Sequence, residues 1–207
     1  FNLKAVGSEH APQAEKIRQY VLNTTQLVNN LLDMARIQSG GFTPKKEWQS
    51  LEEIVGSALH TLDHLLDQHQ VNIDLPPDLP LINCDSSLIE RVFLNLLENA
   101  VKYAGERAAI SIRAYQHTDG KSIEVEVRDN GNGIIDGQEQ AIFDKFSRGS
   151  KESAIHGIGL GLAICQAIIQ LHNGTIRAEN SPDGGACFYF TLPLDPQPVL
   201  ITGMEEQ

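Results

Sequence analysis

The sequence predicts an α/β fold: a two-layer sandwich of a mixed sheet with helices on one face, preceded by one bundle helix. Three observations carry that expectation. Between Asp85 and Ala104, the residues Leu88, Ile89, Val92, Phe93, Leu96, Ala100, Tyr103 and Ala104 recur at helical spacing and form one broad apolar arc that must face a core. In residues 122 to 128, Ile123, Val125 and Val127 alternate with Glu124, Glu126 and Arg128, as in a strand with one buried and one wet face. Near the N-terminus, Ile17, Val21, Thr24, Val28, Leu31 and Ala35 step by four and three, the stripe of a helix that needs a helical partner.

Taken in order, the bundle helix occupies about residues 13 to 38 and is stopped by Ser39, Gly40 and Gly41. Residues 1 to 41 therefore form one segment, 42 to 194 a domain, and 195 to 207 a tail that frays. Phe42 to Trp48 reads as a short strand, held to an edge by Pro44. A helix follows through Asp67, opened by a capping box of Ser50 and Glu53, with Ile54, Val55, Ala58, Leu59, Leu62, Leu65 and Leu66 on its apolar side. His60 and His64 share metal-ligand spacing on it, but no HExxH-type carboxylate accompanies them, so surface or packing roles are expected. Val71 to Leu75 and Leu81 to Cys84 are strands, and the central helix follows directly. Residues 108 to 116 and 122 to 128 form a hairpin around an Asp119-Gly120 turn. Residues 136 to 156 read as a long polar loop holding Phe143 and Phe146. Leu160 to Leu171 is a further amphipathic helix, and Thr175 to Glu179 pairs with Ala186 to Leu192 in a last hairpin.

Composition narrows the function. With 207 residues, 41% of them hydrophobic, the chain can bury a full core, and 16 basic against 27 acidic residues give a net charge of −11. That balance argues against general nucleic-acid binding and leaves any anion site to local features. Cys84, Cys165 and Cys187 lie in apolar surroundings without a CxxC pair, the pattern of reduced core thiols in the cytoplasm. No run is apolar enough to span a bilayer, so no direct membrane contact is expected. Phe1 is not a natural start, and the chain reads as a piece of something longer.

Three stretches carry chemistry. On the central helix Asn95, Asn99 and Lys102, at i, i+4 and i+7, form a polar ledge along one border of the apolar arc, which either meets a ligand or merely touches water. Gly157-Ile158-Gly159-Leu160-Gly161-Leu162 opens a helix, where unpaired N–H groups and partial positive charge attract phosphate. It neither follows a strand nor carries a P-loop lysine, so by itself it is equally a hinge. Asp129-Asn130-Gly131-Asn132-Gly133-Ile134 ends a half-buried strand. A carboxylate there can accept from an exocyclic amine such as that of adenine, or the segment is only a turn.

In order and spacing, Asn95 to Tyr103 (NLLENAVKY), Asp129 to Ile134 (DNGNGI), Phe143 to Arg148 (FDKFSR) and Gly157 to Leu162 (GIGLGL) resemble the four ATP-binding boxes of sensor histidine kinases. The resemblance covers about residues 45 to 193, and Ile17 to Gly41 resembles the second helix of that family's dimerisation and histidine-phosphotransfer hairpin. The runs from Val21 to Gly41 and from Phe146 to Ala154 are similar to the potassium-responsive sensor kinases of bacteria, which control a potassium-uptake ATPase. The resemblance implies the fold shared by histidine kinases, gyrases and heat-shock ATPases, with ATP and Mg²⁺ as ligands. It implies Asn99 as the side-chain ligand of Mg²⁺ and Asn95 near the phosphates, positioning water or the acceptor. Lys102 contacts phosphate, Tyr103 borders the adenine, and Asp129 takes the adenine amino group in a pocket shaped by Gly131, Gly133 and Ile134. Phe143 and Phe146 anchor the lid, Arg148 reaches the γ-phosphate, and Gly157, Gly159, Leu160, Gly161 and Leu162 form the phosphate end.

The resemblance further implies a homodimer in the intact protein, a response regulator as partner, and a cytoplasmic kinase core belonging to an inner-membrane-anchored parent. One departure matters. The family's acceptor histidine is followed by an acidic residue and then, after a few positions, a proline, and none of the seven histidines fits. His10 has its proline too close, His156 lies in the lid, and His172 heads His-Asn-Gly after a helix, where a packing role is expected. The chain is thus expected to hold the ATP machinery without its own substrate histidine. A gyrase- or heat-shock-type ATPase and a non-catalytic nucleotide-binding module are the alternatives.

Overall fold

The computed structural model describes residues 43–105, 108–145 and 159–196 and, in part, residues 13–35. The chain divides into two compact units, Phe1–Phe42 and Thr43–Gln207. In the first, the described residues between 13 and 35 are helical (α1), and Ile17, Val21, Val28 and Leu31 of its apolar stripe are exposed. Thr24 and Thr25 spend their hydroxyls on the Tyr20 and Val21 carbonyls one turn back. The expected stop at Ser39 to Gly41, the loop residues 146–158 and the tail from 197 lie outside the described residues.

The second unit is the expected two-layer sandwich. Strands β2 (Gln70–Asp74), β4 (Ala109–Gln116), β5 (Ser122–Asp129), β6 (Ile176–Asn180) and β7 (Ala186–Pro193) form a sheet of order β2-β4-β5-β7-β6. The β2·β4 pair is parallel and the other pairs are antiparallel. Helices α4 (Ser86–Ala104) and α5 (Gly161–Leu171) cover the apolar face, and α2 (Leu51–Thr61) packs on α4. Period-2 alternation points Ile112, Ile123, Val125, Val127, Phe190 and Leu192 into that layer, where they meet Ile89, Val92, Phe93 and Leu96 of α4 and Ile164 and Ile168 of α5. Phe93 and Phe190 meet edge to face, with ring centroids 5.5 Å apart.

Several local expectations are corrected. The helix expected to run through Asp67 breaks at Leu62 (φ −100°, ψ 11°) and resumes as the single turn α3 (Asp63–Leu66). Across the break Leu62 and Leu66 are buried and Leu65 is exposed. Ser50 is the N-cap of α2, yet its side chain makes no capping bond, so the Ser50/Glu53 box does not form. Glu52 and Glu53 still place negative charge in the first turn, where the helix dipole favours it. Strand β3 (Ile82–Cys84) does not join the main sheet but pairs antiparallel with β1 (Glu47–Gln49) as a separate two-stranded ladder. The hairpin turn places only Gly120 in the left-handed region (φ 68°), and Asp119 instead accepts from the Lys121 N–H.

The outer sheet face is not uniformly wet. Glu124 is only 6% exposed: it accepts from the Tyr115 hydroxyl and, at 3.0 Å, from Arg177, whose guanidinium lies 3.8 Å from the Tyr189 ring centroid. A paired, hydrogen-bonded carboxylate tolerates this burial.

Candidate functional site

The site begins with how α4 is held. Asp85 is its N-cap, with Oδ1 accepting from the Leu88 N–H at 3.3 Å, and Gly105 (φ 83°) ends it. This fixes the rotation of the helix, whose arc buries Ile89, Val92, Phe93, Leu96 and Ala100 and leaves Leu88, Tyr103 and Ala104 half-buried. The asparagine ledge does not merely touch water. Asn95 is 8% exposed and its Nδ2, beside the buried thiol of Cys165, has no conventional hydrogen-bond partner among the described residues. Asn99 and Lys102 are half-buried on the following turns. Lys102 Nζ donates to the Tyr103 hydroxyl at 2.9 Å and sits 4.6 Å from its ring centroid, so the two side chains act as a unit.

Asn95 is covered by the start of α5. Leu160, the N-cap, is buried, and Gly159 (φ 71°) turns the chain into the helix. A Cβ on Gly161 would lie 3.2 Å from Asn95 Oδ1, tighter than an ordinary contact. The first turn of α5 therefore presents bare backbone N–H groups beside the asparagine amide, with no side chain between. Phe143 is buried in a 3-10 turn (Ala141–Phe143) packed on α5, which makes it core as well as anchor. Phe146, Arg148 and Gly157 lie outside the described residues.

Asp129 ends β5 on the inner side of the sheet and is 5% exposed. Its Oδ1 accepts from the N–H groups of Gly131 (2.8 Å) and Ala186 (3.3 Å), which leaves Oδ2 unused by the described residues. Burial raises its pKa above the usual carboxylate value, and the two backbone bonds oppose that rise. Gly131 and Gly133 are required by close approach as well as by any ligand. A Cβ on Gly131 would stand 2.5 Å from the Ala104 Cα, and Gly133 (φ 72°) abuts Asn180 Oδ1.

Sequence reasoning missed Asn180 and Gly185. Asn180 accepts from the Ile134 N–H at 2.6 Å and donates to the Ile134 carbonyl at 2.8 Å, clamping the loop that Asp129 opens. Gly185 (φ 87°) passes so close that a Cβ would stand 1.9 Å from the Asp129 carbonyl oxygen. The only local signal was the polar turn Ser181 to Gly185, whose partner residues lie about fifty positions earlier. His172 is fully buried: its Nε2 accepts from the Asp85 N–H at 3.0 Å and its Nδ1 lies 2.8 Å from the Ile168 carbonyl oxygen. His60 and His64 are exposed, on opposite sides of the Leu62 break. An open recess of about 300 Å³ lies where β2, β4 and the end of β5 meet, lined by Asn72, Ser111 and Arg128 and also by Asp129 and Asn130.

The family model for histidine kinase-, DNA gyrase B- and HSP90-like ATPases matches residues 84–196. The chain is 60% identical over 200 residues to the sensor protein KdpD of Escherichia coli (strain K12), covering 97% of this chain and 22% of that protein. Its fold matches the mycobacterial sensor histidine kinase MprB with a TM-score of 0.64 and 25% identity, over 73% of this chain and 99% of that one. It also matches histidine kinase ThkA, solved in complex with the response regulator protein TrrA, with a TM-score of 0.71 and 20% identity over 92% and 53% of the two chains. The chain spans about a fifth to a third of the length of the curated relatives it matches.

Proposed function

As this chain belongs to the family of histidine kinase-, DNA gyrase B- and HSP90-like ATPases, we propose that it is the catalytic portion of a two-component sensor histidine kinase. In the intact protein it transfers the γ-phosphoryl of ATP to a histidine on a helix preceding α1, and the phosphoryl passes on to an aspartate of a response regulator. The likeness to KdpD supports a potassium-responsive parent anchored in the inner membrane, with this core in the cytoplasm. Among the described residues no helix is long and apolar enough to cross a membrane. The kinase ThkA, solved with its regulator, supports a regulator partner here. On this reading residues 1–41 are the remnant of the dimerisation and histidine-phosphotransfer hairpin of a homodimer, with its second helix at about 13–38, 42–194 are the catalytic domain and 195–207 a tail.

The observation that carries this reading is the pairing of Asn95 with the bare first turn of α5, at one end of a site whose other end is Asp129. A buried amide donor without a partner is uncommon in a folded protein, and a polyphosphate against α5 supplies the acceptor it lacks. Asn99, one turn on, offers an amide oxygen of the kind magnesium accepts beside phosphate and water. Bound Mg²⁺ would neutralise the phosphate charge that phosphoryl transfer redistributes.

The protein's own residues bind and orient. Asp129 accepts the adenine amine at Oδ2 while its Oδ1 stays tied to backbone, so the base is read by a fixed carboxylate. Gly131, Gly133 and Ile134 border the base, and Lys102 with Tyr103 closes the helix side. The N–H groups from Gly161 onward meet the phosphates, and Leu160 and Leu162 flank them. Phe143 and Phe146 hold the lid that carries Arg148 and Gly157. Because positioning and charge neutralisation supply most of the rate, no nucleophile is required from this domain.

The test mixes the chain with γ-labelled ATP, Mg²⁺ and a separate hairpin bearing the family's histidine box. Label on that histidine is the expected result. Phosphate release without transfer would favour a gyrase- or heat-shock-type ATPase, and tight binding with neither would favour a non-catalytic module.

A further inference from the structure

Helices α4 and α5 touch at two places that define an antiparallel pair. At one end Gly161 faces Asn95, and at the other His172 meets Asp85. The stretches between these points are of similar length, roughly 15 Å of helix at 1.5 Å per residue. Between them the seam is dry, with Ile164, Cys165 and Ile168 fully buried and the Cys165 thiol 3.8 Å from the Val92 carbonyl. A close-packed helix of this kind shifts as a rigid body, so displacement at one end reappears at the other.

The Asp85 end is a knot of four segments. Asp85 Oδ1 accepts from the Leu88 N–H, its Oδ2 accepts from the Lys45 N–H at 2.9 Å, and its own N–H donates to His172 Nε2. One imidazole tautomer satisfies both His172 contacts: Nδ1–H donates to the Ile168 carbonyl and Nε2 accepts from Asp85. Asn173 (φ 61°) and the Gly174 N–H to the Ile169 carbonyl then close α5, and Gly174 sits where a Cβ would strike the Thr191 carbonyl.

We propose that His172 is a positioning residue for the nucleotide site: its neutral imidazole pins the C-terminal end of α5 to the N-cap of α4 and thereby sets the gap between Asn95 and Gly161. The inference rests on the nucleotide reading above. Even a Cβ at Gly161 would stand 3.2 Å from Asn95 Oδ1, so the gap has no room for a methyl group and a slide of a few tenths of an ångström changes what the phosphate end can accept. The charged groups facing His172 are Asp85 from the α4 side and Lys46 from the segment entering the domain, and they pull its proton affinity in opposite directions. Burial disfavours the imidazolium, which would also turn Nε2 into a donor facing the Asp85 N–H.

The experiment compares wild type, H172Q and H172F in the 207-residue chain. The glutamine amide can accept from Asp85 and donate to Ile168, whereas phenylalanine fills the space without either bond. Asn95 side-chain amide resonances are followed without nucleotide, and the Kd for Mg²⁺-ATP is measured by calorimetry. H172F should move the Asn95 resonances and weaken ATP binding about ten-fold, the scale of one displaced hydrogen bond. H172Q should stay within about three-fold of wild type at neutral pH. As pH falls below the ordinary histidine value, the wild type should lose affinity relative to H172Q, a ratio that cancels titration of the nucleotide. If H172F does not fold, that ratio decides alone. Folded H172F with wild-type resonances and affinity, or a ratio independent of pH, would reduce His172 to a stabilising role and overturn the proposal. Shifted Asn95 resonances in a chain that binds no ATP would overturn the nucleotide reading while supporting the coupling between the two ends.

Discussion

The two ends of the α4–α5 pair share the same helices and the same apolar seam, yet they treat polar groups in opposite ways. At the Asp85 end both ring nitrogens of His172, both carboxylate oxygens of Asp85 and its N–H have partners. At the Asn95 end a buried amide donor beside the Cys165 thiol has no conventional partner among the described residues, and a glycine leaves no side chain at the helix terminus. A missing bond of this kind costs about 1–3 kcal/mol, so its persistence inside a well-packed seam marks a place built around something other than stability. The satisfied end holds the fold, and in the function proposed above the unsatisfied end is where a ligand completes it.

Breaking the satisfied end should produce the largest effect. His172→Ala removes a buried ring and strands the Asp85 N–H and the Ile168 carbonyl, for a loss of about 3 kcal/mol in urea unfolding. Acid attacks the same end. Because burial lowers the His172 pKa below its ordinary 6.5, the unfolded chain binds its proton first. This contribution is complete above pH 6.5 and is lost as pH falls through the lower folded value. Urea midpoints measured from pH 7.5 down to pH 5 should therefore fall more steeply for wild type than for His172→Gln.

The pocket end should respond with the opposite sign. Asn95→Leu removes the orphaned donor and should leave stability unchanged or raise it by about 1 kcal/mol in the same assay, while ATP binding is lost. Gly161→Ala is the mildest change. The methyl favours the helix by up to about 1 kcal/mol but crowds Asn95, so net stability moves little while calorimetry should show ATP affinity several-fold weaker. A stabilised His172→Ala, or an Asn95→Leu that unfolds, would erase the distinction between the two ends.

How much was legible follows the range of the interactions. Helices α4 and α5 could be read because period 3.6 is a local signal, and Asp129 because strand, carboxylate and glycines are contiguous. Asn95 could be placed only on the border of its arc, since the cover supplied by Gly161 comes from 66 positions later in the chain. Asn180 and Gly185 were missed for the same reason: each fixes the Asp129 loop from a different hairpin. The break at Leu62 was invisible because apolar residues continue through it at helical spacing. The β1·β3 ladder was hidden too, because strand propensity says nothing about which edge a short strand will join.

The most direct test of the nucleotide pocket is calorimetric titration of Mg²⁺-ATP into wild type and into Asp129→Ala, with far-UV circular dichroism to verify that both are folded. Losing a fixed, buried carboxylate acceptor removes a charge-assisted hydrogen bond of about 1.5–3 kcal/mol, roughly a ten- to hundred-fold loss of affinity. The account predicts that wild type binds and that Asp129→Ala gives little or no measurable heat. Equal affinity in the two folded proteins would contradict it.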